Sequence, residues 1–278
     1  MGRLSRGRRP ASSRVLDHVP RFNRHLGVDY SGAETPTSSL PGLRLFEAKL
    51  GRAPVEISPP PSPRKYWTRK GLAEWLAVEL ESGPPAIVGI DHAFSFPMEY
   101  FTAHAVPLDW NAFLDDFHKH WPTDGEHVYV DFIRDELRGN VIKRDGNSRW
   151  RRLCERRSKG AKSVFHFDVP GSVAKSTHAG LPWLRFLRQR LGRRAHFWPF
   201  DGWAPEAGLH VIAEVYPSLW NKTYPREDRT PDQQDAYSVA RWLQENDING
   251  ELHRFLMPDF EFEDRASADI EGWILGLR

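Results

Sequence analysis

Apolar residues fall into short blocks whose spacing predicts the elements. Leu26–Tyr30 reads as a first strand. Leu43–Leu50 alternates apolar with polar and reads as a second. Val55–Ser58 reads as a third, ended by the turn PPPSP. Together they predict an antiparallel meander. Leu72, Trp75, Leu76 and Leu80 share one face of a helix over about 68–81. Ala86–Ile90 is a continuous apolar run, as expected of a strand covered on both faces. His210–Tyr216 is a further strand. The next helix has a marked start: Thr230 as N-cap, Pro231 as first helical residue and Gln233 completing a Thr-x-x-Gln capping box. Its buried stripe is Ala236, Val239, Ala240 and Leu243, and it runs to about Glu245. Residues 266–277 predict a last short helix with an apolar end.

The periodicity weakens between 98 and 208. Pro107–His120 and Pro182–Leu191 read as helices, Val128–Phe132 and Val164–Asp168 as short strands, and the whole as a mixed insertion. Residues 1–22 lack apolar periodicity and are rich in Arg, Ser and Pro, which predicts a disordered tail. Residues 23–278 then form a single α/β domain, a mixed sheet flanked by helices, with the insertion at about 98–208.

Composition narrows the class. Of 278 residues, 40% are apolar and 27% charged, which suits an ordinary soluble domain. No apolar run approaches the ~20 residues of a membrane span, so no membrane association is expected. Cys154 is the one cysteine, which rules out an intramolecular disulfide, argues against a Cys-based zinc site and makes a reducing cytoplasm the expected compartment. The net charge of +2 excludes a globally basic chain. Basic residues nevertheless cluster in the tail, over 143–162 (including Arg151, Arg152, Arg156 and Arg157) and over 185–194. Such runs suit phosphate contacts or plain solvated faces.

Two strands end on an aspartate by one formula: LGVD closes at Asp29 and VGID at Asp91. Sites in open α/β sheets gather at such strand ends. Glu214 interrupts the apolar run Val211–Val215. Asp232 suits the first turn of its helix by dipole, whereas Asp235 lies beyond that turn. Carboxylates brought together repel, so they need cations or raised pKa values. Oxygen donors of this kind suit Mg²⁺ or Mn²⁺, and two such ions can hold the attacking and leaving oxygens of phosphodiester hydrolysis. Plainer roles exist for each acid: a turn or cap for Asp29 and Asp91, a solvated edge for Asp235, a buried Arg partner for Glu214. GSVAKST (171–177) lacks the spacing of a nucleotide-binding loop and reads as a flexible loop near the acids, from which Lys175 could reach a phosphate.

The stretches GVDYSGA (27–33), IVGIDHAFSFP (87–97), AEVYPSLW (213–220), DQQDAYSVARWL (232–243) and EGWILG (271–276) resemble RNase H-like domains. More closely, the chain resembles the predicted RNase H-like nucleases catalogued as domain of unknown function 429. The resemblance implies an RNase H-like mixed sheet and a nuclease acting on DNA or RNA. It places metal ligands at Asp29, Asp91 and Asp235, with Glu214 as an extra or alternative ligand. Two Mg²⁺ or Mn²⁺ ions would be the cofactors, and Lys175, Arg151, Arg152, Arg156 and Arg157 would grip the nucleic-acid backbone. Two alternatives stay open. One is a non-catalytic nucleic-acid-binding or assembly protein that kept the fold. The other is an actin-like or sugar-kinase-like phosphotransferase, against which the lack of a clear second domain speaks.

Overall fold

Six strands pair into one mixed sheet in the computed structural model, which describes residues 19–61, 65–136 and 143–277. Residues 1–18 of the expected tail lie outside the described residues. Strands β1 (Arg24–Asp29), β2 (Arg44–Lys49) and β3 (Val55–Glu56) form the expected antiparallel meander. β4 (Ala86–Asp91) runs parallel to β1, β6 (His210–Glu214) parallel to β4, and β5 (Ala195–Trp198) parallel to β6. The order across the sheet is β3-β2-β1-β4-β6-β5. The helices are α1 (Arg69–Ser82), α2 (Met98–His104), α3 (Trp110–His120), α4 (Val130–Arg134), α5 (Leu153–Arg157), α6 (Ala174–Leu191), α7 (Pro231–Ile248), α8 (Leu252–Leu256) and α9 (Phe262–Glu271). Among the described residues, no helix is long and apolar enough to cross a membrane.

The strand period of two sorts the side chains between two layers. Leu26, Val28, Val88, Ile90 and Ile212 enter one core, with Leu72 and Leu76 of α1 and Leu184 and Leu187 of α6. The opposite phase, Ile87, Val211 and Ala213, packs with Val239 and Leu243 of α7. Gly27 and Gly89 are paired in register in that second phase. A β-carbon at Gly27 would overlap the Ala236 carbonyl, and one at Gly89 would lie 2.7 Å from Val239 Cγ1. The two glycines therefore let α7 rest on the strand backbones themselves.

Helix starts follow their caps. Thr68 accepts from Gly71 N at 2.9 Å. Thr230 and Gln233 close the predicted capping box at 3.2 and 2.9 Å, and the whole stripe Ala236, Val239, Ala240 and Leu243 is buried.

The segment between β4 and β6 departs most from expectation. It supplies α2 to α6 and the edge strand β5. Val128–Phe132 is not a strand: Val130–Arg134 is helical, and Val130 and Ile133 are buried three positions apart on one helical face. Val164–Asp168 is turn and coil. Its apolar residues serve an aromatic cluster instead, with the Phe165 ring 4.7 Å from that of Phe96. α6 begins at Ala174, eight positions before Pro182. A mid-helix proline lacks the N–H that the His178 carbonyl would accept. Thr123 Oγ1 donates to that carbonyl instead, at 2.5 Å, so the helix continues. The last helix ends at Glu271, earlier than expected, and the chain then runs beside β6, where Leu275 N donates to Glu214 O at 2.9 Å.

Candidate functional site

Alternation reaches the strand ends. Gly27 and Asp29 share a phase on β1, as do Gly89 and Asp91 on β4, and Asp29 is paired in register with Asp91. Both aspartates therefore belong to the face that α7 covers. On α7, Asp235 directly precedes Ala236, whose carbonyl lies over Gly27. Asp29, Asp91, Asp232 and Asp235 line one open cleft of about 570 Å³. The remaining lining includes Gly160, Lys162, Gly171, Ser172, Lys175 and Ser176, from the segment between β4 and β6.

The acids crowd one another. Burial first, then Asp91 and Asp235, push the Asp29 carboxyl well above the usual carboxylate range, and its cross-strand neighbour Arg44 opposes them. Burial, Asp235 and Glu214 raise Asp91 in the same way. Asp235 is raised chiefly by burial and secondarily by Asp232, against an amide hydrogen bond from Asn221 at 2.7 Å. Asp91 Oδ1 is buried and has no hydrogen-bond partner. Ionising these groups together is unfavourable without a cation.

Glu214 does not line that cleft, although it shares a smaller pocket with Asp91. Its register partner on β4 is Ile90, one position out of phase with Asp91, so its side chain belongs to the other face. There Arg152 holds it through two hydrogen bonds of 2.6 and 2.7 Å, and Phe94 N donates to it at 3.1 Å. Arg152 also donates to Glu155 at 2.9 Å and to the Glu271 carbonyl at 3.2 Å. Of the two expectations for Glu214, metal ligand or partner of a buried arginine, the structure shows the pairing with Arg152. The phase carried the signal: Ala213, not Glu214, is the residue in step with Gly89.

The expected backbone-gripping residues separate as well. Arg152 is 1% exposed, with its guanidinium taken up by Glu155 and Glu214. Arg151 donates to the carbonyls of Glu155 and Ala161, Arg156 to that of Arg151, and Arg157 to Asp264. None of these four lines the cleft. Lys175 does, with its ammonium on Asp131 at 2.7 Å. Lys162, which nothing in the basic run distinguishes from its neighbours, lines it too and donates to the Pro170 carbonyl.

Asp29, Asp91 and Asp235 offer oxygen donors alone, the chemistry of hard dications. Among the described residues, no group of three or more His, Cys, Asp or Glu side chains already stands arranged to enclose a metal ion. A scan against protein-family models, a search of curated proteins and a search of solved structures each find no match.

Proposed function

We propose that this chain is a divalent-metal-dependent nuclease with an RNase H-like fold, hydrolysing phosphodiester bonds of nucleic acid at the Asp29–Asp91–Asp235 cleft. One observation carries the reading: two aspartates paired in register end adjacent parallel strands, and a helix over those strands brings a third to the same cleft. An antiparallel meander, a helix and a strand parallel to β1 support the fold assignment.

The unpartnered buried oxygen of Asp91 and the mutual repulsion of the acids fit a divalent ion. Asp29, Asp91 and Asp235 would hold two Mg²⁺ or Mn²⁺ ions, which would supply charge neutralisation and Lewis-acid polarisation of the scissile phosphate. The chain's own residues set the frame. Gly27 and Gly89 admit α7, Asn221 orients Asp235, and Arg152 withholds Glu214 from the cleft.

The test is cleavage of single- and double-stranded DNA and RNA with Mn²⁺ or with chelator. Cleavage is expected with Mn²⁺ alone, and Asp29→Asn should lower it by roughly a thousandfold, about 4 kcal/mol of barrier. A second reading, a non-catalytic nucleic-acid-binding protein that kept the fold, is favoured by the absence of a preformed metal-enclosing group among the described residues. Binding without cleavage across the whole panel would put it in place of the first.

A further inference from the structure

The motif GSVAKST runs into the first turn of α6, and that turn lines the cleft together with the three aspartates. The amides of a first turn have no intrahelical acceptor, and the dipole of an 18-residue helix adds positive potential there. Ser172 Oγ takes the Ala174 amide at 3.1 Å. Helix geometry leaves the Lys175 and Ser176 amides without an acceptor in α6. The loop that carries Asp29 is pressed onto this turn: a β-carbon at Gly32 would lie 2.5 Å from Ser176 N. The acid side and the helix side of the cleft are thus held at a fixed separation.

Two lysines line the cleft, and they differ. Lys175 is matched by Asp131, 2.7 Å away. Lys162 donates to a neutral carbonyl, and among the described residues no carboxylate lies within ion-pair distance of it. Its charge is the uncompensated positive one in the cleft. Asp91 Oδ1, buried and unpartnered, is an uncompensated carboxylate oxygen of the same cleft. A phosphodiester suits the pair: its anionic oxygens take Lys162 and the helix amides, while cations on the carboxylates meet its other side. The cleft, at about 570 Å³, is the size of a small-ligand site, roughly 300–1,000 Å³. A flexible single strand can thread such a space, as in charged grooves that track one backbone.

We propose that Lys162 and the first turn of α6 form a phosphate-binding wall that takes the backbone of a single nucleic-acid strand against the Asp29–Asp91–Asp235 carboxylates. The proposal rests on the reading of this cleft as a nucleic-acid site, and not on catalysis. It is tested by fluorescence anisotropy with a short labelled oligonucleotide, single-stranded or as its duplex, on Asp29→Asn protein in Mg²⁺ over a salt series. Lys162→Ala should weaken single-strand binding about tenfold and reduce the slope of log affinity against log salt by about 0.7, the loss of one phosphate contact. Lys162→Arg should retain most of the affinity. Arg193→Ala removes the same charge beyond the far end of α6, about 27 Å away by helix rise, and should change neither quantity. The wall is refuted by equal effects of Lys162→Ala and Arg193→Ala, by duplex binding as tight as single-strand binding, or by no binding at all. Wild-type protein that binds a single strand through Lys162 but cleaves nothing with Mn²⁺ defeats the nuclease reading alone. Mn²⁺-dependent cleavage with binding indifferent to Lys162 defeats the wall alone.

Discussion

Two groups of carboxylates flank the end of β4, one buried and one half-buried in an open cleft, and they differ in what offsets their charge. Glu214, Glu155 and Glu271 surround Arg152, which bonds two of the carboxylates and one carbonyl, while Glu271 accepts from Met98 N at 2.8 Å and Leu153 N at 2.5 Å. Burial raises Glu155 and Glu271 despite these partners, and it raises Asp29, Asp91 and Asp235 too, but there like charge adds to it and no guanidinium bonds the carboxylates. The difference comes from strand phase. Asp91 and Glu214 sit on neighbouring strands one step apart, so they face different layers. A compensated cluster ties loops to the sheet. An uncompensated one stores repulsion that a ligand can relieve.

The largest expected effect belongs to the compensated cluster. Arg152→Met would leave Glu214 and Glu155 buried without their partner, a cost of about 3–5 kcal/mol. At about 2–4 °C per kcal/mol for a chain near this size, thermal unfolding should move down by roughly 10 °C. A melting point within about 2 °C of wild type would erase the contrast between the two clusters.

The acid cleft should respond with the opposite sign. A carboxyl whose folded pKa is raised contributes stability below its unfolded pKa and loses it as pH rises through the folded value. Metal-free protein should therefore weaken as pH climbs from about the ordinary carboxylate value, 3.8, into the raised range of Asp29 and Asp91. Asp91→Asn should flatten that decline and raise the stability of the metal-free protein at neutral pH, because the asparagine has no charge to be forced on it as pH rises. Melting curves against pH in chelator read both. An Asn variant less stable than wild type at neutral pH would mean that the aspartates are structurally satisfied after all. The smallest effect is expected at the half-exposed pair Lys175–Asp131, where Lys175→Ala should cost no more than about 1 kcal/mol in the same melts.

Much of this contrast was legible in the chain. β1, β2, β4, β6, α1 and α7 each bury one face or both, so their periods showed directly, and Thr230 and Gln233 marked the start of α7. Asp29 and Asp91 stood out because each follows a glycine by two positions, which keeps both in the phase that α7 covers. Glu214 was ambiguous because its direction depends on register, a property of two strands rather than one. Its partner lies 62 positions away, in a basic run that reads as a surface. The segment between β4 and β6 hid its helices because several are only five to seven residues long, too short to show a helical period. β5, four residues long, was equally silent, and Phe165 served an aromatic cluster rather than a strand.

The paired glycines under α7 carry a consequence for how such a cleft can change. The distance from Asp235 to the other two acids is set by missing atoms: two absent side chains act as the spacer between helix and sheet. A methyl group at either position would lift the helix like a shim and withdraw Asp235 while leaving every acid in place. Variation at Gly27 or Gly89 would therefore work as a height adjustment, retuning the cleft without altering a single one of its charges.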